Sequence, residues 1–154
     1  MGQARWRDDR ETIALSLEYD KVSVGDILPD FKVVPTLMSA VMYCAAMWEF
    51  QKIHFDHDWA RSRENLDGAI LQGPVLGNYL ARCVMSWAGP RARLKHLAWR
   101  NHGVAMLDEQ LICSGRVTAC HDGVIDCELH IVNPREQKLV SGSASVAPGK
   151  ERMA

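Results

Sequence analysis

A chain of 154 residues, 47% hydrophobic and 24% charged, has the length and composition of one globular domain with a single core. A formal net charge of −1, without a basic run interleaved with aromatic residues, excludes nucleic acid as the expected partner. The longest uninterrupted apolar run, Ala40 to Trp48, is far too short to cross a bilayer, so no membrane contact is expected.

The first predicted elements are a lead-in, a strand and a helix. Residues 1–21 are polar with scattered apolar side chains and form an N-terminal lead-in. The following stretch, VSVGDILPD, is rich in turn residues, and the short strand FKVV after it ends at a proline. Thr36 is placed to cap a helix that runs to about Trp48. Because this helix is apolar nearly all round, we expect it to be buried.

The clearest helix of the sequence lies in the middle of the chain, after a polar loop at 61–67. Pro74 occupies the position of a first helical residue, directly after a glycine, and Gly89 with the proline after it ends the helix. The apolar residues between them keep the spacing of one helical face: Val75, Leu76, Tyr79, Leu80, Cys83, Val84 and Trp87. The pattern predicts an amphipathic helix of about four turns with one broad apolar face.

Beyond this helix the hydrophobic period changes to two, which predicts strands. Four of them follow, at 92–100, 108–120, 123–133 and 138–147. Turns are expected at 101–103, at 121–123 and at Asn133-Pro134, and the Asp-Gly pair of the second turn is a hairpin signal. The short links favour an antiparallel meander. One long helix followed by long antiparallel strands that wrap it is an α+β arrangement.

The cysteines predict neither a disulfide framework nor a zinc site. They are Cys44, Cys83, Cys113, Cys120 and Cys127. Their number is odd and no Cys-x-x-Cys pair occurs, so buried, reduced thiols are expected. The start of the chain, MGQARWRDDRE, is charged where a signal peptide requires an apolar stretch. We therefore expect a cytoplasmic protein.

The stretch EFQKIHFDHDWA, at 49–60, mixes six ionisable side chains with four bulky apolar ones and is the candidate site for chemistry. It contains metal-binding residue types, but a helical pair of histidines and a second ligand cluster are both missing, so we expect no metal site. His54 with Asp58 also resembles the His-x3-Asp motif of CoA-dependent acyltransferases. That motif usually continues with glycine, whereas Trp59 follows here, and those enzymes are much longer.

A helix start accounts for part of this stretch. Asp56 or His57 is placed to begin a short helix over DWARSR, with acidic residues favourable at its N-terminus. Such a helix leaves Glu49 and His54 unexplained.

Glu49 and His54 carry a resemblance to a known family. The order of elements resembles the hotdog fold, and the stretch is similar to the motif of the MaoC-like (R)-specific enoyl-CoA hydratases and dehydratases. That motif reads roughly Tyr, a few small residues, Ser-Gly-Asp-x-Asn-Pro-x-His, five residues and Ala. Here Glu49 stands five residues before His54, where the family has its catalytic Asp. Tyr43 leads the motif and Ala60 takes its last position.

Further landmarks extend the resemblance over about residues 22–147, which leaves 148–154 as a C-terminal tail. The family has a His-Gly pair at the head of its central helix, and Gln72-Gly73 corresponds to it. The segments WAGPRARLKHLAW and SGRVTACHDGVIDCEL are similar to the MaoC-like subunits of steroid side-chain degradation. Those subunits often work as pairs of unlike hotdog chains.

The sequence departs from the family motif at three places. Gly-Asp is replaced by Trp48-Glu49, Asn-Pro by Gln51-Lys52, and the His before Gly73 by Gln72. Glu for Asp keeps the carboxylate but moves it by about one methylene, and small misplacements are costly in catalysis. Either the pocket is reshaped for another acyl group, or activity is reduced or lost.

The resemblance implies hydration of a 2-enoyl-CoA, or the reverse dehydration of a 3-hydroxyacyl thioester, without a metal or cofactor. Glu49 and His54 would hold the water together, with Glu49 protonating Cα. The Gly73 amide, at a helix N-terminus, would donate to the thioester oxygen, although a plain helix-entry turn is equally compatible with this glycine. Three side chains are expected to contact the substrate: Gln72, Trp48 and Tyr43.

The expected partners are an acyl-CoA or acyl-carrier thioester and a second hotdog chain. Positive charges that lead into the 92–100 strand are placed to meet CoA phosphates: Arg91, Arg93 and Lys95. A solvated strand edge guarded by charge is the alternative for them. Since a single hotdog usually cannot close its own acyl tunnel, we expect a homodimer or a hetero-oligomer. A hotdog acyl-CoA thioesterase, or a non-catalytic subunit that completes a partner's acyl site, is an alternative function.

Overall fold

The computed structural model describes residues 17–149, which form one antiparallel sheet wrapped around a long helix. The strands are β1 (Ile27–Val33), β2 (Ala92–Asn101), β3 (Leu111–His121), β4 (Val124–Val132) and β5 (Lys138–Pro148). The helices are α1 (Leu37–Met47), α2 (His57–Glu64) and α3 (Gly73–Ala88). Most of the predicted lead-in lies outside the described residues. Within 17–149, none of the helices has the length and apolar content needed to cross a bilayer.

The prediction for α3 is confirmed by its buried face. Five of the seven residues on the predicted apolar stripe are at most 7% exposed: Leu76, Tyr79, Leu80, Cys83 and Val84. The helix begins at Gly73, one residue earlier than predicted, and ends at the Gly89 cap. Burying such side chains contributes about 1.5–3 kcal/mol each, so this helix is the centre of the core.

The sheet order is β1-β3-β4-β5-β2, so the predicted meander holds only from β3 to β5. β2 pairs with β5 instead of β3. The turn expected at 101–103 is therefore part of a longer connection, which leads from β2 at one edge of the sheet to β3 near the opposite edge. Ala105 O, in this connection, accepts a hydrogen bond from Leu71 N at 2.8 Å. The Asp122-Gly123 hairpin is confirmed, since both residues have positive φ, 48° and 73°, as a two-residue turn requires.

Two of the predicted loops are partly regular structure. β1 begins at Ile27, inside the stretch expected to form turns, and its Pro29 is accommodated because β1 is an edge strand with an irregular register between Leu28 and Phe31. α2 runs on to Glu64, so the polar loop expected from 61 begins only after this helix. Its start is as predicted: Trp59 N donates to the Asp56 carboxylate at 2.9 Å.

The thiols are mostly in the core. Four cysteines are buried as expected, whereas Cys120 is exposed at the end of β3. Burial raises the pKa of the Cys113 thiol to about 12 and that of Cys83 to about 11, so both remain protonated at neutral pH. These groups pack as small apolar side chains.

α1 begins where the sequence predicts, but it is not buried as expected. Thr36 and Ser39 form a reciprocal capping box, with Ser39 N donating to Thr36 Oγ1 at 3.2 Å. The expectation that α1 is buried is wrong, because only Ala40 and Cys44 are buried. Its exposed side, here called the outer face of α1, consists of Leu37, Met38, Val41, Met42 and Met47. A helix that is apolar all round presents more apolar surface than the single core of one chain covers.

α1 ends in a Schellman motif whose left-handed residue is a tryptophan. Glu49 N donates to Cys44 O at 2.9 Å and Trp48 N donates to Ala45 O, while Trp48 has a φ of 54°. Glycine is the usual residue at this position because a Cβ is disfavoured there. Trp48 is 83% exposed, and its ring meets Phe50 edge to face, with 5.2 Å between centroids. The left-handed backbone is therefore strained without compensating burial.

Replacing Trp48 by glycine should stabilise the isolated chain. Trp48→Gly removes the left-handed strain, and we expect the free energy of unfolding to rise by about 1 kcal/mol. Urea titration measures it, with an unchanged slope showing that only stability has changed.

The matched control is Asn65→Gly. Asn65 ends α2 with the same φ of 54° and ψ of 38°, but asparagine tolerates this conformation. The increase in the free energy of unfolding should be smaller for Asn65→Gly than for Trp48→Gly. Equal increases at the two positions would contradict the explanation by backbone strain at Trp48.

Candidate active site

The candidate site lies where three segments meet: the end of α1, the short 3-10 helix Lys52–His54, and the start of α3. Hydrogen bonds join these segments. Ile70 N, just before α3, donates to Ile53 O at 3.0 Å. The Gln72 side chain donates to Cys44 Sγ of α1 at 3.0 Å. Since Glu49, His54 and Gly73 belong to these segments, the structure brings the predicted catalytic residues into one region.

His54 is held in one orientation by the backbone. The residue is 8% exposed, and its Nδ1 lies 2.9 Å from Ile70 O. A carbonyl oxygen only accepts, so Nδ1 carries the proton in this contact. The Nε2 of the neutral ring is then an acceptor, and it faces the Glu49 side chain. In its neutral form, His54 therefore presents a lone pair rather than an N–H to the site.

The Glu49 side chain lies close to His54 Nε2 without a direct hydrogen bond to it. Its Oε1 is 4.0 Å from His54 Nε2, which is beyond hydrogen-bond distance. The Glu49 side chain is 37% exposed and that of His54 is 10% exposed, so the pair opens to the surface on the carboxylate side. Two acceptors at this separation suit a small donor molecule that bonds both.

Gly73 supplies the donor at the head of α3. Val75 N donates back to Gln72 O at 3.1 Å, and Pro74 has no N–H, so the Gly73 N–H is the one left without an intrahelical acceptor in this turn. The Asn101 side chain approaches Gly73 closely: a Cβ at Gly73 would lie 2.6 Å from Asn101 Nδ2, so any larger residue would displace this exposed amide. The structure thus adds Asn101, from the end of β2, to the surroundings of the site.

Gln72 is placed differently from the prediction that it contacts substrate. It is 1% exposed, and its Nε2 donates to Ala40 O at 3.1 Å and to Cys44 Sγ at 3.0 Å. Its Oε1 is buried and has no hydrogen-bond partner among residues 17–149. The amide nitrogen is therefore committed to α1.

Of the remaining predicted residues, some lie near Glu49 and others lie far from the candidate site. Trp48 is adjacent to Glu49, and Tyr43 is half-buried on α1. Three exposed charges, Arg91, Arg93 and Lys95, lie at the other end of β2 from Asn101, beyond the C-terminus of α3. Because the 16 residues of α3 span about 24 Å, the structure does not bring these charges to the Gly73 end of one chain. Their contact with CoA phosphates stays a prediction.

Sequence reasoning missed three parts of this site: Asn101, Cys44 and the Ile70 carbonyl. Asn101 looked like a turn residue, and Cys44 like one of several core thiols. A backbone carbonyl has no sequence signal at all. Each acquires its place only through contacts between distant segments.

Known proteins resemble the chain in both sequence and fold. The family model of hydroxyacyl-thioester dehydratase type 2 matches residues 18–107. The 3-oxo-4,17-pregnadiene-20-carboxyl-CoA hydratase beta subunit of Mycobacterium tuberculosis is 31% identical over 102 residues, which cover 66% of this chain and 78% of that protein. A chain in the crystal structure of the ChsH1–ChsH2 complex from the same organism has a TM-score of 0.73 at 25% identity, covering 82% of this chain and 98% of that one.

A more distant likeness shows the fold alone. The R-hydratase PhaJ1 of Pseudomonas aeruginosa has a TM-score of 0.78 at 16% identity, and the match covers 86% of each chain. The segment that the family model matches contains Glu49, His54 and Gly73. The chain therefore belongs to the hydroxyacyl-thioester dehydratase type 2 family and has the hotdog fold of the MaoC-like hydratases.

Proposed function

We propose that this chain hydrates a 2-enoyl thioester, or dehydrates a 3-hydroxyacyl thioester in the reverse direction, with Glu49 and His54 as its catalytic residues. The observation that carries the proposal is the bond from His54 Nδ1 to Ile70 O at 2.9 Å. It leaves Nε2 as an acceptor 4.0 Å from a Glu49 oxygen. A water molecule can donate one hydrogen to each of these atoms, which activates its oxygen.

The proposed reaction adds water across the double bond. The oxygen of the water attacks C3 while its proton passes to the Glu49 carboxylate, which delivers it to C2. The negative charge that develops on the thioester oxygen is stabilised by the Gly73 N–H at the head of α3. Dehydration uses the same groups in reverse. These residues and water supply every group that the reaction requires, so we propose no resident metal or cofactor.

We further propose a CoA thioester of a bulky acid as the substrate. The Mycobacterium relative is named as the beta subunit of a 3-oxo-4,17-pregnadiene-20-carboxyl-CoA hydratase. In this chain, the exposed aromatic rings of Trp48 and Phe50 stand on either side of Glu49 in sequence. Large apolar surfaces of this kind suit a large apolar acyl group better than a short one.

The test is an assay of the purified protein against 2-enoyl-CoA thioesters, from short straight chains to ring-bearing acids such as the pregnadiene carboxyl-CoA. We expect loss of enoyl absorbance, a product heavier by one water, and no release of free thiol. Saturated acyl-CoAs serve as the control, because they cannot be hydrated. Free CoA released from them would replace this proposal by the thioesterase alternative.

Removing the carboxylate should abolish most of the turnover. Glu49→Gln keeps the size of the side chain but not the base, and we expect kcat to fall by about 10² to 10⁴ with KM little changed. The kcat of His54→Ala should fall by a similar factor. The loss in the double variant should be much smaller than the product of the two single losses, because both residues act on one water. Steady-state kinetics measures each effect.

A matched variant distinguishes the loss of a catalytic group from the loss of one negative charge anywhere on the chain. Glu64→Gln makes the same change at an exposed position at the end of α2 and should leave kcat unaltered. The stability of Glu49→Gln should be unchanged or higher, since a carboxylate beside apolar side chains is costly. Full hydratase activity in Glu49→Gln would end the proposed mechanism.

We propose that the partner is a second hotdog chain, identical or unlike. The M. tuberculosis relative is named as a beta subunit, and the similar solved chain belongs to a complex. In this protein the outer face of α1 is apolar and is not covered by any part of residues 17–149, and Met38 and Met42 are 68% and 64% exposed. β2 is an edge strand that is exposed along most of its length. Apolar patches and open strand edges of this kind are normally covered by a partner.

Introducing charge on the outer face of α1 should prevent assembly. We expect the wild type to be a dimer at micromolar concentration, alone or after addition of a second hotdog chain, and Met42→Glu to shift it to a monomer. Light scattering measures the mass. Thr118→Glu, on an exposed position of β3, is the control and should assemble normally. A fully active wild-type monomer would contradict the partner proposal, and turnover only with an unlike chain would favour the subunit alternative.

A further inference from the structure

We propose that Gln72 is a positioning residue, which places Glu49 relative to Gly73 through a buried contact with Cys44. The inference rests on the proposed function, because it concerns how the two catalytic groups of that reaction are aligned. It replaces the sequence-based expectation that Gln72 contacts the substrate.

Glu49 needs such a support because α1 is weakly anchored. Glu49 follows the last turn of α1, so its position depends on how that helix is held. The outer face of α1 is exposed, and Ala40 and Cys44 are its buried residues. These two lie four positions apart, on one side of the helix. The placement of α1 in the single chain therefore depends on what meets that inner side.

The Gln72 amide meets both of these residues. Its Nε2 donates to Ala40 O at 3.1 Å and to Cys44 Sγ at 3.0 Å, and all three residues are almost fully buried. The reversed amide would place an oxygen against the Ala40 carbonyl, where two acceptors repel. The nitrogen is therefore the atom that faces α1. The buried Oε1 has no hydrogen-bond partner within residues 17–149 that would hold the amide in another orientation.

Cys44 transmits the contact to Glu49. The Cys44 carbonyl accepts the Glu49 N–H at 2.9 Å in the Schellman motif. On the other side, Gln72 is the N-cap of α3 and is bonded covalently to Gly73. One side chain thus connects the residue that carries the carboxylate with the residue that donates to the thioester oxygen. Their separation is set by Gln72 more directly than by the sheet.

The expected sizes of the effects distinguish positioning from stability. A buried hydrogen bond contributes about 0.5–1.5 kcal/mol net, so losing the contact should leave the protein folded. A displacement of about 1 Å in a catalytic group costs about 10²-fold in rate. Loss of the contact should therefore lower kcat far more than it lowers stability or raises KM.

The experiment compares three variants with a matched control. Gln72→Met keeps the length of the side chain but has no donor, and Cys44→Ala removes the sulfur at the other end. Cys44→Ser keeps a polar acceptor and should recover most of the lost rate. The control is Cys83→Ala, which removes another buried thiol, one that donates to Cys113 O at 3.5 Å within the core. It should lower stability without affecting the site.

Amide hydrogen exchange provides a readout that does not need turnover. In Gln72→Met and Cys44→Ala, we expect the peptide that covers 44–50 to exchange about five-fold faster, as loss of about 1 kcal/mol implies. Cys83→Ala should not change it. Unaltered exchange in both site variants would overturn the inference. A wild type without hydratase activity would contradict the proposed function only, because exchange still decides whether Gln72 holds the end of α1.

Kinetics then tests whether the contact acts through Glu49. We expect kcat to fall by about 10-fold to 10²-fold in Gln72→Met with KM nearly constant. In the Glu49→Gln background the same change should have little further effect, because the group being positioned is no longer a base. A full additional loss in that background, or no recovery with Cys44→Ser, would show that Gln72 does not act by placing Glu49.

Discussion

The burial of α3 inside one continuous antiparallel sheet is the constraint on which the rest of the structure depends. The apolar face of this helix and the inward residues of the strands form a single core, which includes Leu80, Val117 and Ile131. With the helix enclosed along its length, its N-terminus has to emerge at one end of the wrapped sheet. The segment between β1 and α3 packs at that end. The free amide of Gly73 and the Glu49–His54 pair are neighbours for this reason.

Local patterns in the sequence predicted the parts that depend on local physics. The spacing of apolar residues located α3, and the Asp122-Gly123 pair located a hairpin. The family resemblance singled out Glu49 and His54, whose side chains lie 4.0 Å apart in the structure, while their catalytic role stays a prediction. The position of β2 beside β5 could not be predicted, because it depends on a crossing connection and not on a short link. Hydrophobicity also failed for α1, since composition alone does not tell whether an apolar helix is covered by its own chain.

Three of the five residues that depart from the family motif are physically connected. Trp48 occupies a left-handed position that favours glycine, Glu49 is longer than the aspartate it replaces, and Gln72 replaces a histidine. All three lie along one path, from the end of α1 through Cys44 to the head of α3. Under the proposed role of Gln72, a longer acid and a changed support for its helix would be compatible alterations, because each would shift the carboxylate and the second could compensate the first. The three substitutions are therefore better interpreted as one connected change than as three independent departures from the motif.

The exposed outer face of α1 has a consequence for the amount of this protein in a cell. A chain that leaves Met38, Met42 and Trp48 in contact with water is prone to self-association and to recognition by chaperones and proteases before a partner arrives. Assembly removes it from that competition by mass action. Under the proposed assembly, its steady-state level would follow the supply of the chain that covers α1, and an unmatched excess would be degraded. In that case the helix that precedes the proposed catalytic carboxylate would also couple the production of the two chains.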